Sequence, residues 1–165
     1  MTMTTAVLLV ATLSAAAIDV RTRRIPNALT ATVALLAIAL HVAQGAIPLL
    51  LAIASMCGAF AVGAMAFSVG WFGGGDVKLI AACCGLVGFP GSITLVLEIL
   101  ICGALLALVT AALRGRLLAL VRSTAAIALH GTPVDSIILP YGVAIAAGSI
   151  TFVVSTSVFA LRLPV

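Results

Sequence analysis

Residues 47–89 read IPLLLAIASMCGAFAVGAMAFSVGWFGGGDVKLIAACCGLVGF. The first part, Ile47 to Val69, carries no charge and is long enough for one bilayer crossing, which takes about 20 apolar residues. The chain then breaks at Gly73-Gly74-Gly75, places Asp76 and Lys78 at the break, and resumes as a shorter apolar run, Val77 to Phe89. The rest of the chain has the same character. Of its 165 residues 64% are hydrophobic and 7% charged, with a mean hydropathy of +1.41. A soluble domain is about half apolar and about a quarter charged. The composition therefore describes an integral membrane protein with one membrane domain over residues 1–165, and it leaves no material for a large extramembrane catalytic module.

Working outward from the central stretch, apolar runs cover residues 3–18, 28–42, 47–69, 77–89, 92–113 and 138–161. The expected fold is all-α, a polytopic bundle of about six transmembrane helices. Turn signals separate the runs at Gln44-Gly45, Gly73-Gly74-Gly75 and Pro90-Gly91, and a polar stretch runs from Arg114 to Asp135. The first run resembles a signal peptide in its Ser14-Ala15-Ala16-Ala17 end. It lacks a basic start, however, and Arg21, Arg23 and Arg24 follow it. Basic residues after a span hold that end in the cytoplasm, so the N terminus is expected outside. Alternation then puts 19–27, 70–78 and 114–136 in the cytoplasm, and these segments hold every basic residue except Arg162. Asp19, Asp76 and Asp135 fall on that same side, and Glu98 lies toward the other. Leucines around Arg114, Arg116 and Arg122 suit an interfacial helix or an extension of the fifth span.

Several function classes are disfavoured. The net charge of +4 comes from short clusters between spans, not from a basic face with stacking groups, so nucleic acid is not an expected partner. Cys57, Cys83, Cys84 and Cys102 form no C-x-x-C pair and lie in apolar runs, where a thiol behaves as a small hydrophobe. His41 and His130 flank spans on opposite sides, so no metal site is expected. Gly73-Gly74-Gly75 lacks the spacing of a phosphate-binding loop, and Lys78 is not followed by Ser or Thr.

Ionisable groups at membrane depth are expensive, and this makes Asp19 and Asp76 the first functional candidates. Asp19 follows Ala15-Ala16-Ala17-Ile18 directly, and Pro26 and Asn27 reset the chain soon after, with Asn27 suited to cap the second span. Asp76 follows three glycines, which allow close backbone approach or positive φ. Two carboxylates within about 3 Å share one proton and can serve as general base and general acid toward water, as in an aspartic protease. A rival reading, a small proton- or cation-coupled transporter or channel subunit, would use the same aspartates to bind ions. No matched broken helix in the first half supports it.

The elements Asp19…Arg24-Ile25-Pro26-Asn27 and Gly73-x-Gly75-Asp76-x-Lys78-Leu79 together resemble the two signature motifs of the bacterial type IV prepilin peptidases, membrane aspartic proteases of the Gly-x-Gly-Asp type. Leu139-Pro140-Tyr141-Gly142 resembles the Pro-aromatic-Gly element that opens the last span of that family. The resemblance implies a multi-pass protein of the bacterial inner membrane. It would cleave prepilin or pseudopilin substrates at the cytoplasmic face, after a Gly between a basic leader and an apolar helix, with Asp19 and Asp76 as the catalytic pair. Longer family members carry an N-terminal segment with two C-x-x-C pairs and an N-methyltransferase activity. This sequence starts at its first span, so it resembles the short peptidase-only form of the tight-adherence (Flp) type.

Supporting roles are expected for Gly73, Gly75, Pro26, Asn27, Lys78, Asp135 and Tyr141. Asp135 is the spare acid that can hold a basic leader. Lys78 either orients Asp76 or meets an acid of the substrate, and Tyr141 lines the site or belongs to an aromatic belt with Trp71. The helix dipoles favour the shared proton on Asp19, at the negative end of the first span, and Asp76 as the base at the positive end of the fourth, while Arg21, Arg23 and Arg24 favour ionised Asp19. No cofactor is expected, because the dyad acts on water alone.

Overall fold

The computed structural model describes residues 3–115 and 141–162. Among them are six helices and no strand: α1 (Met3–Thr22), α2 (Asn27–Val42), α3 (Ala46–Ser68), α4 (Gly74–Val87), α5 (Gly91–Leu113) and α6 (Tyr141–Arg162). The chain is an all-α polytopic membrane protein. Four helices are long and apolar enough to cross a membrane, namely α1, α3, α5 and α6 over Tyr141–Phe159. The expected polar segment with Arg116, Arg122, His130 and Asp135 lies outside the described residues.

Local chemistry sets the ends that matter for the site. α1 continues past Ile18, where the sequence suggested it would stop, and carries Asp19 in its last turn. It closes at Arg23, whose φ of 53° is left-handed and whose N–H donates to the Asp19 carbonyl at 2.8 Å. Pro26, not Asn27, takes the N-cap position of α2, with extended backbone, and its carbonyl accepts from Leu29 and Thr30. The Asn27 side chain is engaged elsewhere, as shown below.

The shortest helix is the central one. At 14 residues, α4 is about 21 Å long, less than the roughly 30 Å hydrocarbon core. It packs on each of the other five helices, and its buried residues run from Val77 and Leu79 through Ala81 to Leu86. The short run expected to be barely enough for a crossing is packed at the core, enclosed by longer helices. Leu8 and Ala15 of α1, Val33 of α2, Leu95 of α5 and Ile145 of α6 close around it. In contrast, α3 presents Ile47, Leu50 and Met65 outward, where lipid tails solvate them as well as protein would.

This up-and-down order brings the end of α1 and the starts of α2, α4 and α6 together at one end of the bundle. Every residue of the two sequence motifs lies there.

Candidate active site

The glycine motif is explained by two close approaches. Gly73 is the N-cap of α4, and Asp76, three residues on, folds its carboxylate back to accept the Gly73 N–H. A Cβ at Gly73 would lie 2.7 Å from Asp76 Oδ2, so a side chain there would displace the carboxylate. At Gly75 a Cβ would come within 3.2 Å of Ile25 Cβ and 3.6 Å of the Ile25 backbone. The loop after α1 therefore packs directly on the first turn of α4. Pro26 favours extended backbone at Ile25 and presents it to Gly75.

A second bond ties the same two segments together. Lys78 Nζ donates to Asn27 Oδ1 at 2.9 Å. This occupies the Asn27 side chain that the sequence suggested as a helix cap. It also gives Lys78 a partner other than Asp76.

Asp19 is buried at 7% exposure, and its Oδ2 accepts the backbone N–H of Gly142 at 2.9 Å. Gly142 is the second residue of α6, so the carboxylate faces the positive end of that helix as well as the negative end of its own. The contact needs glycine: a Cβ at residue 142 would lie 2.9 Å from Asp19 Cβ and 3.0 Å from Oδ2. Tyr141, the first residue of α6, lies within electrostatic range of Asp76. Its ring meets Phe72 edge to face, with centroids 4.9 Å apart. On its other side the hydroxyl would stand 2.6 Å from a Cβ at Gly103 of α5.

Asp19 and Asp76 interact electrostatically across this junction. Asp76 precedes the apolar run 77–89, at the mouth of the bundle. Burial raises its carboxyl above the ordinary carboxylate range and the charge of Asp19 raises it further, while the Gly73 N–H works the other way. Two carboxyl groups placed so that one raises the other are suited to general acid–base work on water.

Of the residues expected at the site, Asp19, Pro26, Asn27, Gly73, Gly75, Asp76, Lys78 and Tyr141 converge on this end, and Asp135 lies outside the described residues. Glu98 lies apart from the pair, on the α5–α6 contact, where Oε1 accepts from Ser155 Oγ at 2.8 Å. Sequence reasoning missed Phe72 and Gly103, and it named Gly142 only within the Pro-aromatic-Gly element, not as the donor to Asp19. Gly103 is one of many small residues in an apolar run. Among the described residues no group of three His, Cys, Asp or Glu could hold a metal ion.

Neither a curated protein nor a solved structure matches the chain. A family model described as the type IV leader peptidase family matches residues 6–108, more than half of the chain and the part that contains both aspartate motifs. With these motifs meeting around two interacting carboxylates at the end of a helical membrane bundle, the chain belongs to the type IV leader peptidase family.

Proposed function

We propose that this peptidase is an aspartic endopeptidase of the bacterial inner membrane. Its substrates are prepilin-like proteins of the Flp type, cut at the cytoplasmic face after a Gly that separates the basic leader from the apolar helix. One observation carries the reading: Asp19 and Asp76 interact electrostatically where both motifs and the start of α6 meet.

In the resting pair the proton resides on Asp76, whose burial and charged neighbour favour the neutral acid. Asp19 is then the base. This proposal differs from the assignment drawn from the ends of α1 and α4 alone, and the contact of Asp19 with the α6 N-terminus supports it. Asp19 removes a proton from water as its oxygen attacks the scissile carbonyl carbon, and Asp76 gives its proton to the carbonyl oxygen. In the second step Asp19 passes its proton to the leaving nitrogen and Asp76 takes one from the diol. The C–N bond breaks, and the pair is left as it began.

Co-expression with a prepilin, read as a mobility shift on leader loss, tests the proposal. Wild type should give the shift, whereas Asp19→Asn and Asp76→Asn should accumulate in the membrane without giving it. Cleavage by both variants would defeat the aspartic mechanism.

A further inference from the structure

The catalytic end of the bundle continues into an apolar groove that no part of the mechanism uses. Its volume is about 780 Å³. α3 and α5 form its walls, and α4, on which both pack, forms its floor through Val77, Ile80 and Cys84. Along α3 it runs from Leu51 to Ala66, about 22 Å at the helical rise. Trp71 and Phe72 lie at the end nearest the carboxylates. The groove adjoins the site: Val77 on its floor follows Asp76 in α4, and Phe72 at its end packs on Tyr141.

The α3 wall is built from small residues, including Ala54, Gly58, Ala59 and Gly63. Internal packing explains Gly63, where a Cβ would meet Val77 Cγ1 at 2.7 Å. It does not explain Gly58, where a Cβ would meet nothing within 4 Å. Small residues along a membrane helix allow close approach of another helix.

We propose that this groove seats the apolar helix of the substrate, entering sideways between α3 and α5, with the N-terminal end of that helix against Phe72. The inference rests on the peptidase reading above. A leader that precedes the helix is then carried past Phe72, and the bond between the two comes to Asp19 and Asp76. The groove length matches about 15 residues of helix, and its almost wholly apolar lining matches a membrane segment rather than the basic leader.

The test uses the full chain in membranes with a prepilin as substrate. A photoreactive benzophenone side chain replaces Val62 on α3 or Leu97 on α5 in an Asp76→Asn background. The same group at Leu35, exposed on α2, serves as control. Val62 and Leu97 should crosslink to the apolar segment of the prepilin and Leu35 should not. In otherwise wild-type protein, Gly58→Leu should fill the groove without disturbing the bundle and lower kcat/KM for membrane-inserted prepilin about tenfold. Crosslinks confined to lipid or to this chain, or an unchanged rate for Gly58→Leu, would overturn the groove assignment. Wild-type cleavage in the same experiment would leave the peptidase reading standing. A wild-type chain that cleaves no prepilin would remove that reading and the groove with it.

Discussion

The backbone N–H of Gly142 donates to Asp19 Oδ2 at 2.9 Å, joining residues 123 positions apart in the sequence. The bond holds one carboxylate of the proposed pair from a helix that contributes no residue to either aspartate motif. A methyl group at residue 142 would press on both Asp19 Cβ and Oδ2. The expected result for Gly142→Ala is a loss of at least about tenfold in kcat/KM, equivalent to about 1.4 kcal/mol of transition-state stabilisation. The protein should still accumulate in the membrane, because the disturbance is local. Leader cleavage measured beside membrane abundance checks this, and a wild-type rate would show that Asp19 does not depend on the α6 backbone.

The two motif glycines should fail differently. At Gly73 an added methyl meets the Asp76 carboxylate itself, at 2.7 Å. At Gly75 it meets Ile25 Cβ at 3.2 Å, a contact that a shift of a few tenths of an ångström relieves. Gly73→Ala should therefore lower kcat about a hundredfold, within the range contributed by a positioned acid or base. Gly75→Ala should lower it about threefold and cost about 1 kcal/mol in stability, at the lower end for overpacking. Single-turnover cleavage and thermal unfolding in detergent separate the two effects. Equal losses of kcat would contradict the roles given to these glycines.

The pH dependence follows from Asp76. In the proposed mechanism the active form carries a proton on Asp76, so activity falls at high pH as that proton is lost. Burial and the Asp19 charge raise Asp76, and they move the alkaline limb above the ordinary aspartate value of about 3.9, toward neutrality. The kcat/KM profile of the purified protein should show that displaced limb. A limb at the ordinary value, or a rate that keeps rising with pH, would contradict the assignment of the proton to Asp76.

The sequence made Asp19 and Asp76 legible because ionisable residues are rare in so apolar a chain and each is expensive at membrane depth. Helix positions were legible for the same reason, since runs and turn signals alternate. The role of α4 was not. A run of about 13 apolar residues does not say what surrounds it, and only the packing of Leu79 to Leu86 against its neighbours puts α4 at the core. The donor to Asp19 was hidden because it is a backbone N–H, which every non-proline residue carries. The end of α1 was misplaced by treating the first charge as its boundary. Instead α1 runs on to Thr22 with Asp19 in its last turn, its carboxylate bonded across the bundle.

The contact between Gly103 and Tyr141 gives a prediction that a purely structural role for Tyr141 would not. A Cβ at residue 103 would stand 2.6 Å from the tyrosine hydroxyl and 3.0 Å from ring carbons Cε2 and Cζ. Gly103→Ala should push the ring off Phe72 and, through residue 142, disturb the N–H that holds Asp19. Its effect should appear in kcat, because the carboxylates are displaced while the groove between α3 and α5 stays open. Tyr141→Phe removes the hydroxyl that clashes but leaves the ring carbons. In the double variant Gly103→Ala with Tyr141→Phe, part of the lost rate should return, with a coupling of about 1 kcal/mol between neighbouring sites. A strictly additive cycle would mean that the hydroxyl does not transmit the clash, and the path from α5 through α6 to Asp19 would have to be abandoned.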